Sequence, residues 1–246
     1  MKQNLKSLVK KTPIVGPICK FLNRVFLQLR KPFLVPSRQL KWRLRGKRNL
    51  VVLQIGSNDG LATDPLHDLL MKNRDWKAFL VEPVPSIFEK LKTTYMNRPN
   101  TFFKNVAVSD KSQTTPFYFI DDVPPEEKQN FPDWFDQLGS FNRQHIISHL
   151  GHAGEKHLKT MQIPTVSLEK LFVSSSIDKL DVLHIDTEGH DWIIIKQLDL
   201  DKILPQVILI ENKHLTLHDD VEFRKKFQNK YEILNLGADY LCYLKK

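Results

Sequence analysis

The sequence of 246 residues has little cysteine and no long apolar segment. Its two cysteines, Cys19 and Cys242, provide neither a disulfide framework nor the spacing of zinc ligands, which favours a reducing compartment. No apolar run approaches the roughly 20 residues that a membrane-spanning helix needs. With 41% hydrophobic residues, the chain is still long enough to bury the core of one domain of about 200 residues. These features predict a cytoplasmic globular protein.

Acidic residues are missing from the first 50 positions, which contain 14 lysines and arginines. The rest of the chain has 23 basic and 28 acidic residues, so its net charge is −5. Apolar residues recur near helical spacing in the basic segment, and its prolines predict a main helix from about Pro17 to Arg30. Three roles stay open for residues 1–45: peripheral contact with an anionic membrane surface, packing on the body, and targeting.

A strand, a glycine loop and a helix start come next. Residues 51–60 (VVLQIGSNDG) predict a strand buried on both faces and then a tight loop. Asp64 is predicted as the N-cap of the following helix, with Pro65 at its first position. A second buried strand at 78–81 ends in Glu82, whose carboxylate is placed to accept hydrogen bonds from both hydroxyls of a ribose. The unit is therefore predicted to bind a nucleotide.

The glycine loop lacks the two common phosphate-binding signatures. Its Gly-x-x-x-Gly spacing differs from G-x-G-x-x-G, and no Gly-Lys-Ser/Thr follows. The charge of Asp59 would repel a diphosphate but would suit the amine and the sulfonium of S-adenosylmethionine, which also carries a ribose for Glu82. S-adenosylmethionine is therefore the expected cofactor.

Residues 111–160 are the least regular part of the sequence. A strand is predicted at Pro116–Ile120, and an acid-rich turn leads to an aromatic cluster. The cluster comprises Phe131, Trp134, Phe135 and Phe141, and the histidines of this segment are His145, His149, His152 and His157. His145 and His149 share a helix face, but no cysteine or clustered carboxylate accompanies them, so a metal site is not favoured. Because long connections between sheet strands are usually functional, we expect a polar lid over the substrate.

Strands and helices otherwise alternate along the chain. The predicted elements are a helix at 85–97, a strand at 101–108, a strand and helix turn at 163–171, a strand at 181–186, a helix at 192–198, a strand at 206–210, a helix at 221–229 and a hairpin of 231–236 and 239–244. This order predicts the α/β fold of class I methyltransferases (Rossmann-like), a doubly wound, mostly parallel seven-stranded sheet with a C-terminal antiparallel hairpin. Ligands of such sheets lie beyond the carboxyl ends of the strands.

Four segments carry a resemblance to a known family. They are QIGSNDG at 54–60 with Asp64-Pro65, VEP at 81–83, VAVSD at 106–110 and HIDTEG at 184–189. In this order they resemble the FkbM family of S-adenosylmethionine-dependent methyltransferases. The resemblance implies a methyltransferase domain at 50–246, with 111–160 as an insertion on the substrate side. Residues 1–49 lie outside it, as a basic amphipathic extension.

The resemblance also implies a reaction, O-methylation of a hydroxyl on a sugar, a glycan or a secondary metabolite. The cofactor-binding residues are then Gln54, Gly56, Ser57, Asn58, Asp59, Gly60, Glu82, Pro83, Ala107 and Asp186. The candidate substrate-binding residues are Ser140, Asn142 and His145. Two positions depart from the family pattern. Gln54 stands where many class I enzymes have an acid that helps to hold the methionine amine, a role in which Asp59 is expected to share, and His184 replaces a lysine.

Polar residues at the predicted strand ends are the catalytic candidates: Asp186, Glu188, His190, Glu211 and His214. A hydroxyl acceptor needs a base, or a cation that makes its oxygen more acidic. Asp186, Glu211 and Asn212 offer oxygen ligands for Mg²⁺, similar to the Asp, Asp-Asn set of metal-dependent catechol-type O-methyltransferases. We favour a histidine base, His190 or His214, because Glu211 is longer than the corresponding aspartate and the FkbM resemblance implies no metal.

Two competing functions come from other classes. A methyltransferase-like protein without catalysis would bind an anionic membrane or RNA through its basic N-terminus. An NAD-dependent oxidoreductase is disfavoured by the glycine spacing. The net charge of the body, −5, and the absence of a basic face with aromatic residues argue against a nucleic-acid substrate. The acceptor implied by the resemblance is a small molecule or a glycan.

Overall fold

The computed structural model describes residues 34–61, 64–121, 123–132, 135 and 138–246. Its helices are α1 (Pro36–Arg43), α2 (His67–Lys72), α3 (Pro85–Thr94), α4 (Arg143–Lys156), α5 (Leu168–Ser174), α6 (Asp191–Ile195) and α7 (Leu217–Phe227), with a 3₁₀ turn at Lys128–Asn130. Its strands are β1 (Val51–Ile55), β2 (Lys77–Val81), β3 (Thr101–Lys104), β4 (Ala107–Val108), β5 (Thr114–Ile120), β6 (Gly139–Ser140), β7 (Leu158–Val166), β8 (Val182–Ile185), β9 (Val207–Glu211), β10 (Tyr231–Asn235) and β11 (Asp239–Leu244). The predicted helix at Pro17–Arg30 and Trp134 lie outside the described residues.

The main sheet has seven strands in the order β10-β11-β9-β8-β1-β2-β3. Neighbouring strands from β9 to β3 pair in parallel, whereas β11 pairs antiparallel with both β9 and β10. The hairpin between β10 and β11 turns at Gly237, whose φ of +105° suits a glycine. The predicted seven-stranded, mostly parallel sheet with a terminal antiparallel hairpin is therefore confirmed.

The two faces of the main sheet are covered by separate apolar cores. Alternate residues of β1 divide between them, because successive side chains of a strand point to opposite faces. Leu53 and Ile55 pack on the core that includes α5, α6 and α7, while Val52 packs on the core that includes α1, α2 and α3. The strands of the sheet thus need apolar residues on both faces, which is why they form short continuous apolar runs.

The last part of the basic N-terminal segment packs on the body. Leu40 of α1 is completely buried, and Leu44 and Leu50 are almost so, within the core beneath α2 and α3. The guanidinium of Arg43 lies 3.3 Å from the centroid of the Tyr243 ring. No helix in the described residues has both the length and the apolar character to cross a membrane. Peripheral membrane contact stays a prediction, because most of the segment precedes residue 34.

The predicted strand at 101–108 is wrong, because the structure divides it between two sheets. β3 pairs with β2 in the main sheet, whereas β4 pairs with β7 in a second sheet. Between them, the side-chain amide of Asn105 donates to the backbone oxygens of Glu82 and Pro83, at 2.9 and 3.0 Å. These bonds hold Asn105 against the end of β2, at the point where the chain leaves the main sheet after β3.

The segment at 111–160 contributes β5, β6 and α4 to the second sheet and its covering layer. The strand order of this sheet is β4-β7-β5-β6, and β5 and β7 pair antiparallel over seven residues. The predicted strand starts at Thr114 rather than Pro116, and β7 starts at Leu158 rather than 163. Whether this layer acts as a substrate lid stays a prediction.

Several predicted helix bounds are also corrected. Asp64 is not an N-cap, since α2 begins at His67 and its N-cap residue makes no side-chain hydrogen bond. The Asp64 carboxylate instead accepts from the side chains of Gln54 and Tyr95, at 3.1 and 3.3 Å. The predicted helices at 85–97, 192–198 and 221–229 are observed as α3, α6 and α7. α7 starts four residues early because Thr216 and Asp219 form a capping box.

The glycine at position 56 gives a test of the fold. A Cβ at Gly56, where φ is +81°, would lie 1.7 Å from the backbone oxygen of Asp186. Gly46 has a similar φ of +74° but nothing within 4 Å of the same position. We expect Gly46→Ala to lower the free energy of unfolding by about 1–2 kcal/mol. Gly56→Ala should cost at least about 3 kcal/mol, because backbone atoms must also move. Urea unfolding measures both, and equal losses would contradict the predicted close contact.

Candidate functional site

A cleft of about 890 Å³, including space open to solvent, lies at the carboxyl ends of β1, β2 and β8. The loops that follow these strands form most of its wall, and Val106, Ala107 and the aromatic rings of Phe117 and Phe141 close the side toward the second sheet. Its position is the one expected for the ligand of a doubly wound sheet.

The loop after β1 is tied to the end of β2. The amides of Gly56 and Ser57 both donate to the backbone oxygen of Val81, at 3.0 Å. The Ser57 hydroxyl donates to the backbone oxygen of Gln54 and accepts from the backbone amide of Val81, each at 3.1 Å. Positive φ angles at Gly56, Asn58 and Gly60 make the turn tight enough for these contacts. These four hydrogen bonds, each of which involves a backbone atom, therefore hold the chain around the cleft.

Most of the predicted cofactor-binding residues line this cleft. They are Gln54, Gly56, Ser57, Asn58, Glu82, Pro83, Ala107 and Asp186. Asp59 and Gly60 are not part of its wall. Asp59 accepts a hydrogen bond from the Leu61 amide at 2.9 Å, and a Cβ at Gly60 would meet the Tyr95 ring at 2.5 Å. These two residues contact the rest of the protein on the side of the loop away from the cleft.

Glu82 lies at the tip of β2 with 5% of its surface exposed. One carboxylate oxygen accepts from the Asn58 amide at 3.0 Å and the other from the Val84 amide at 2.9 Å. Burial, with a smaller contribution from the charge of Asp59, raises the pKa of Glu82 to about 7. Each oxygen keeps a second acceptor site, so the fixed carboxylate can still receive two hydroxyl donors from a ligand.

The Asp64 carboxylate lies beside Gln54, a contact that the sequence did not indicate. The amide nitrogen of Gln54 donates to Asp64, whose pKa is raised by burial. Among the described residues, the amide oxygen of Gln54 and Nδ1 of His184 are buried without a hydrogen-bond partner, and both residues line the cleft. Asp64 is therefore the acid nearest the position where the family pattern has one. The sequence placed it at a helix start because Asp-Pro is a common N-terminal signal.

Two acids lie at the loop after β8, the half-buried Asp186 and the buried Asp191. Asp191 accepts from the amides of Thr187 and Gly189, at 3.1 and 3.2 Å, and burial raises its pKa to about 6. Burial and the charges of Asp191 and Glu188 raise the pKa of Asp186 well above its usual value. Glu188 has a φ of +52° in this loop. The turn directs the Glu188 side chain toward helix α4.

A histidine–carboxylate cluster, consisting of His145, His149, Glu188, Glu211 and His214, lies next to this loop. Nε2 of His145 is 3.1 Å from Oε2 of Glu188, and Nε2 of His214 is 3.6 Å from Oε2 of both Glu188 and Glu211. The His145 ring lies 4.5 Å from the rings of His149 and His214. The expectation that no carboxylate accompanies the histidines of α4 is therefore wrong, because the fold brings Glu188 and Glu211 to them.

The cluster has strongly perturbed protonation equilibria. Burial and the charge of Asp186 raise the pKa of Glu211 to about 9. Burial and the neighbouring His145 lower the pKa of His214 to about 4. For Glu188, burial is outweighed by the hydrogen bond and charge of His145, and its pKa is lowered. Burial therefore favours the neutral forms of both Glu211 and His214, and a neutral imidazole has one ring nitrogen that can accept a proton.

The remaining predicted residues have other contacts. Nε2 of His190 is 3.0 Å from the Ser109 hydroxyl, its ring packs on Phe141, and burial lowers its pKa. Ser140 donates to the backbone oxygen of Glu188 at 3.2 Å, while the Asn142 side chain caps α4. Ser140 thus contacts the loop after β8 and Asn142 the start of α4, and both of these segments carry residues of the cluster. His190 lies on another side of the loop after β8.

The magnesium set predicted from the sequence, Asp186, Glu211 and Asn212, stays a prediction. Within the described residues, the close groups of potential ligands that contain a carboxylate join Glu211 to Glu188 and His214, and Asp186 is not among them. Nδ2 of Asn212 is buried without a hydrogen-bond partner. Oε2 of Glu211 lies 3.6 Å from Nε2 of His214, and the charge of Asp186 also acts on the Glu211 carboxyl.

The strand order and the reversed strand β11, with the cleft at the strand carboxyl ends, define the class I methyltransferase fold. Residues 54–232 match the family described as the methyltransferase FkbM domain. Because the match spans most of the sequence, the chain belongs to this family, as the resemblance predicted. Methyl transfer is thus the activity of its class.

Solved structures with a similar fold have low sequence identity. A methyltransferase from Geobacter sulfurreducens is 11% identical with a TM-score of 0.43, covering 100% of this chain and 97% of that one. A precorrin-6y C5,15-methyltransferase from Geobacter metallireducens is 13% identical with a TM-score of 0.40, covering 85% and 87%. Aeropyrum pernix fibrillarin with natively bound S-adenosyl-L-methionine is 12% identical with a TM-score of 0.38, covering 86% and 76%. No curated protein matches the chain.

The buried His184 makes stability depend on pH. Burial lowers its pKa to about 4, against 6.5 for an ordinary histidine. Between these values the unfolded chain binds more protons than the folded one, so this residue makes stability fall as the pH decreases from about 6.5 to 4. His184→Gln should reduce that slope by at most about 1.4 kcal/mol per pH unit. Urea unfolding at several pH values measures it, with His152→Gln, which is exposed, as the control. Equal slopes in the wild type and His184→Gln would refute the assignment.

Proposed function

We propose that the protein transfers a methyl group from S-adenosylmethionine to a hydroxyl of a sugar, a glycan or another small molecule. One observation supports this most directly: Glu82 and Glu188, a member of the histidine–carboxylate cluster, both line one cleft. A cofactor held by Glu82 and an acceptor held near Glu188 would therefore share the same space.

The residues of the cleft fit the chemical groups of S-adenosylmethionine. Glu82 would hold the ribose hydroxyls through the acceptor sites that its two backbone hydrogen bonds leave open. The unpaired amide oxygen of Gln54 and the neighbouring Asp64 carboxylate would face the amine. Gly56 has no side chain, so the backbone of the loop can approach the ligand closely.

When bound, S-adenosylmethionine supplies an electrophilic methyl group on its sulfonium. The chain has to position the acceptor oxygen in line and remove its proton. His214 is unprotonated near neutral pH and its Nε2 has no hydrogen-bond partner, so it would accept the proton. Glu188, held by His145, would orient the acceptor hydroxyl. Phe117 and Phe141 would keep water from that side of the cleft.

Cofactor binding is tested by isothermal titration calorimetry with S-adenosylmethionine. Glu82→Ala removes two charge-assisted hydrogen bonds and should weaken binding by about 2–4 kcal/mol. Hydroxyl donors prefer the ionised carboxylate, so wild-type affinity should also rise as the pH passes upward through about 7, where Glu82 ionises. Glu89→Ala, on the exposed side of α3, is the control and should bind as the wild type does. Unchanged affinity in Glu82→Ala would remove the ribose assignment.

That titration also separates the competing functions. A protein that only binds an anionic surface through its basic segment would give no heat with S-adenosylmethionine. An NAD-dependent oxidoreductase would instead bind NAD. We expect the titration of this protein with NAD to give no heat.

The acceptor class is tested by the transfer of a labelled methyl group to a panel of sugars, glycans and small hydroxyl compounds. Hydroxyl methylation gives an ether that survives alkali, whereas a carboxyl methyl ester releases labelled methanol. With an accepted substrate, His214→Ala should lower kcat about 10²–10⁴-fold, because general base catalysis is lost. S-adenosylmethionine affinity should change little. Alkali-labile label, or full turnover by His214→Ala, would contradict the proposed reaction.

A further inference from the structure

We infer that the histidine–carboxylate cluster is a binding site for one divalent transition-metal ion, with Zn²⁺ as the expected occupant. The ligand atoms of Glu188, Glu211 and His214 all lie within 4.8 Å of one another, and so do those of His145, His149 and His214. His214 belongs to both groups. The five side chains therefore converge on one region from the loop after β8, the end of β9 and helix α4.

The separations in the cluster suit coordination better than hydrogen bonding. Nε2 of His214 lies 3.6 Å from the nearest oxygens of Glu188 and Glu211, which is too long for a hydrogen bond. Two atoms bound tetrahedrally to Zn²⁺ at about 2.0–2.1 Å lie about 3.3 Å apart. A small inward movement of these side chains would bring them to one ion.

Two buried atoms in the cluster have no other partner. Within the described part of the chain, Oε2 of Glu211 and Nε2 of His214 make no hydrogen bond, and Glu211 has only 9% of its surface exposed. Buried polar atoms are nearly always satisfied. A shared metal ion would satisfy both atoms.

The local sequence positions the histidines for coordination. His145 and His149 are one turn apart on α4, and His214 follows Glu211 by three residues. Nδ1 of His149 lies 2.9 Å from the backbone oxygen of His145. Because a carbonyl oxygen can only accept, that bond places the proton on Nδ1, so Nε2 is the ring atom of His149 that would coordinate a metal.

The composition of the cluster favours a transition metal over Mg²⁺. Three imidazoles and two carboxylates are the ligand types that Zn²⁺ and its neighbours prefer, while Mg²⁺ needs oxygen ligands and keeps several waters. The inferred site therefore differs from the Asp186, Glu211 and Asn212 oxygen set in its ligands and in its ion.

The role of the ion follows from its place beside the cleft, and this part rests on the proposed function. Glu188 belongs to both the cluster and the cleft wall, so an acceptor hydroxyl near Glu188 could enter the metal's coordination sphere. When His214 coordinates the ion it cannot also accept the proton. The ion would then replace the base, because it lowers the pKa of the bound hydroxyl so that the proton passes to solvent. The ion would also join α4 of the second layer to the ends of β8 and β9.

The test is metal binding by the full-length chain after chelator treatment, followed by equilibrium dialysis with Zn²⁺. We expect one tightly bound ion per chain in the wild type and a higher melting temperature with the ion. His214→Ala should lose at least 100-fold in affinity, since His214 belongs to both ligand groups. His149→Ala should lose at least tenfold. His152→Ala is the matched control on the same helix, because its side chain is completely exposed, and it should bind as the wild type does.

Several results would overturn the inference. They are the absence of stoichiometric Zn²⁺ binding, equal losses in His152→Ala and His214→Ala, and a preference for Mg²⁺ that Asp186→Asn removes. The visible spectrum of Co²⁺-loaded wild type gives a second readout that needs no variant. Intense bands of a four- or five-coordinate ion support the site, and the weak spectrum of hydrated Co²⁺ opposes it.

S-adenosylmethionine titration of the metal-free protein keeps the two proposals separate. Cofactor binding without Zn²⁺ binding would reject the metal site alone. Zn²⁺ binding without cofactor binding would reject the proposed function and leave the metal site standing.

Discussion

The close approach of two loops at the ends of β1 and β8 is the constraint on which the cleft depends. Only a glycine at position 56 allows the backbone to pass the carbonyl of Asp186, because any side chain would overlap that oxygen. With the loop in this position, the Asn58 amide reaches Glu82 and the amides of Gly56 and Ser57 reach Val81. The end of β2 and the loop after β8 are thereby fixed on opposite sides of one space.

The region around the cleft also concentrates acids that are buried or half-buried. Glu82, Asp64, Asp186, Asp191 and Glu211 all have raised pKa values, and burial is the largest cause in each case. Crowded acids with little solvent are unfavourable unless protonated or matched by positive charge. A ligand with an amine and a sulfonium, and a metal ion beside the cleft, are the two cations whose binding would relieve this strain.

The main sheet and the cofactor loop could be predicted from the sequence, because both depend on local patterns. Short branched apolar runs indicate strands buried on two faces, and β1, β2, β8 and β9 were all found in this way. The pattern failed at 101–108, where TFFKNVAV has the composition of one strand. The Asn105 side chain binds the backbone just after β2 and separates this segment into two strands. The pattern also failed at Asp64, where a helix-start signal concealed a carboxylate that turns inward to Gln54 and Tyr95.

The sequence by itself determined the parallel sheet, the glycine loop and the acid at the tip of β2, since each follows from spacing within about 30 residues. Only the tertiary structure decided which distant polar side chains meet. His145 and Glu188 are 43 positions apart, and no local periodicity reports a contact over that distance. Helix α4 reaches the ends of β8 and β9 because the second sheet holds it there through β5, β6 and β7. The strands and the loop are properties of short segments, whereas the cluster results from the packing of two layers.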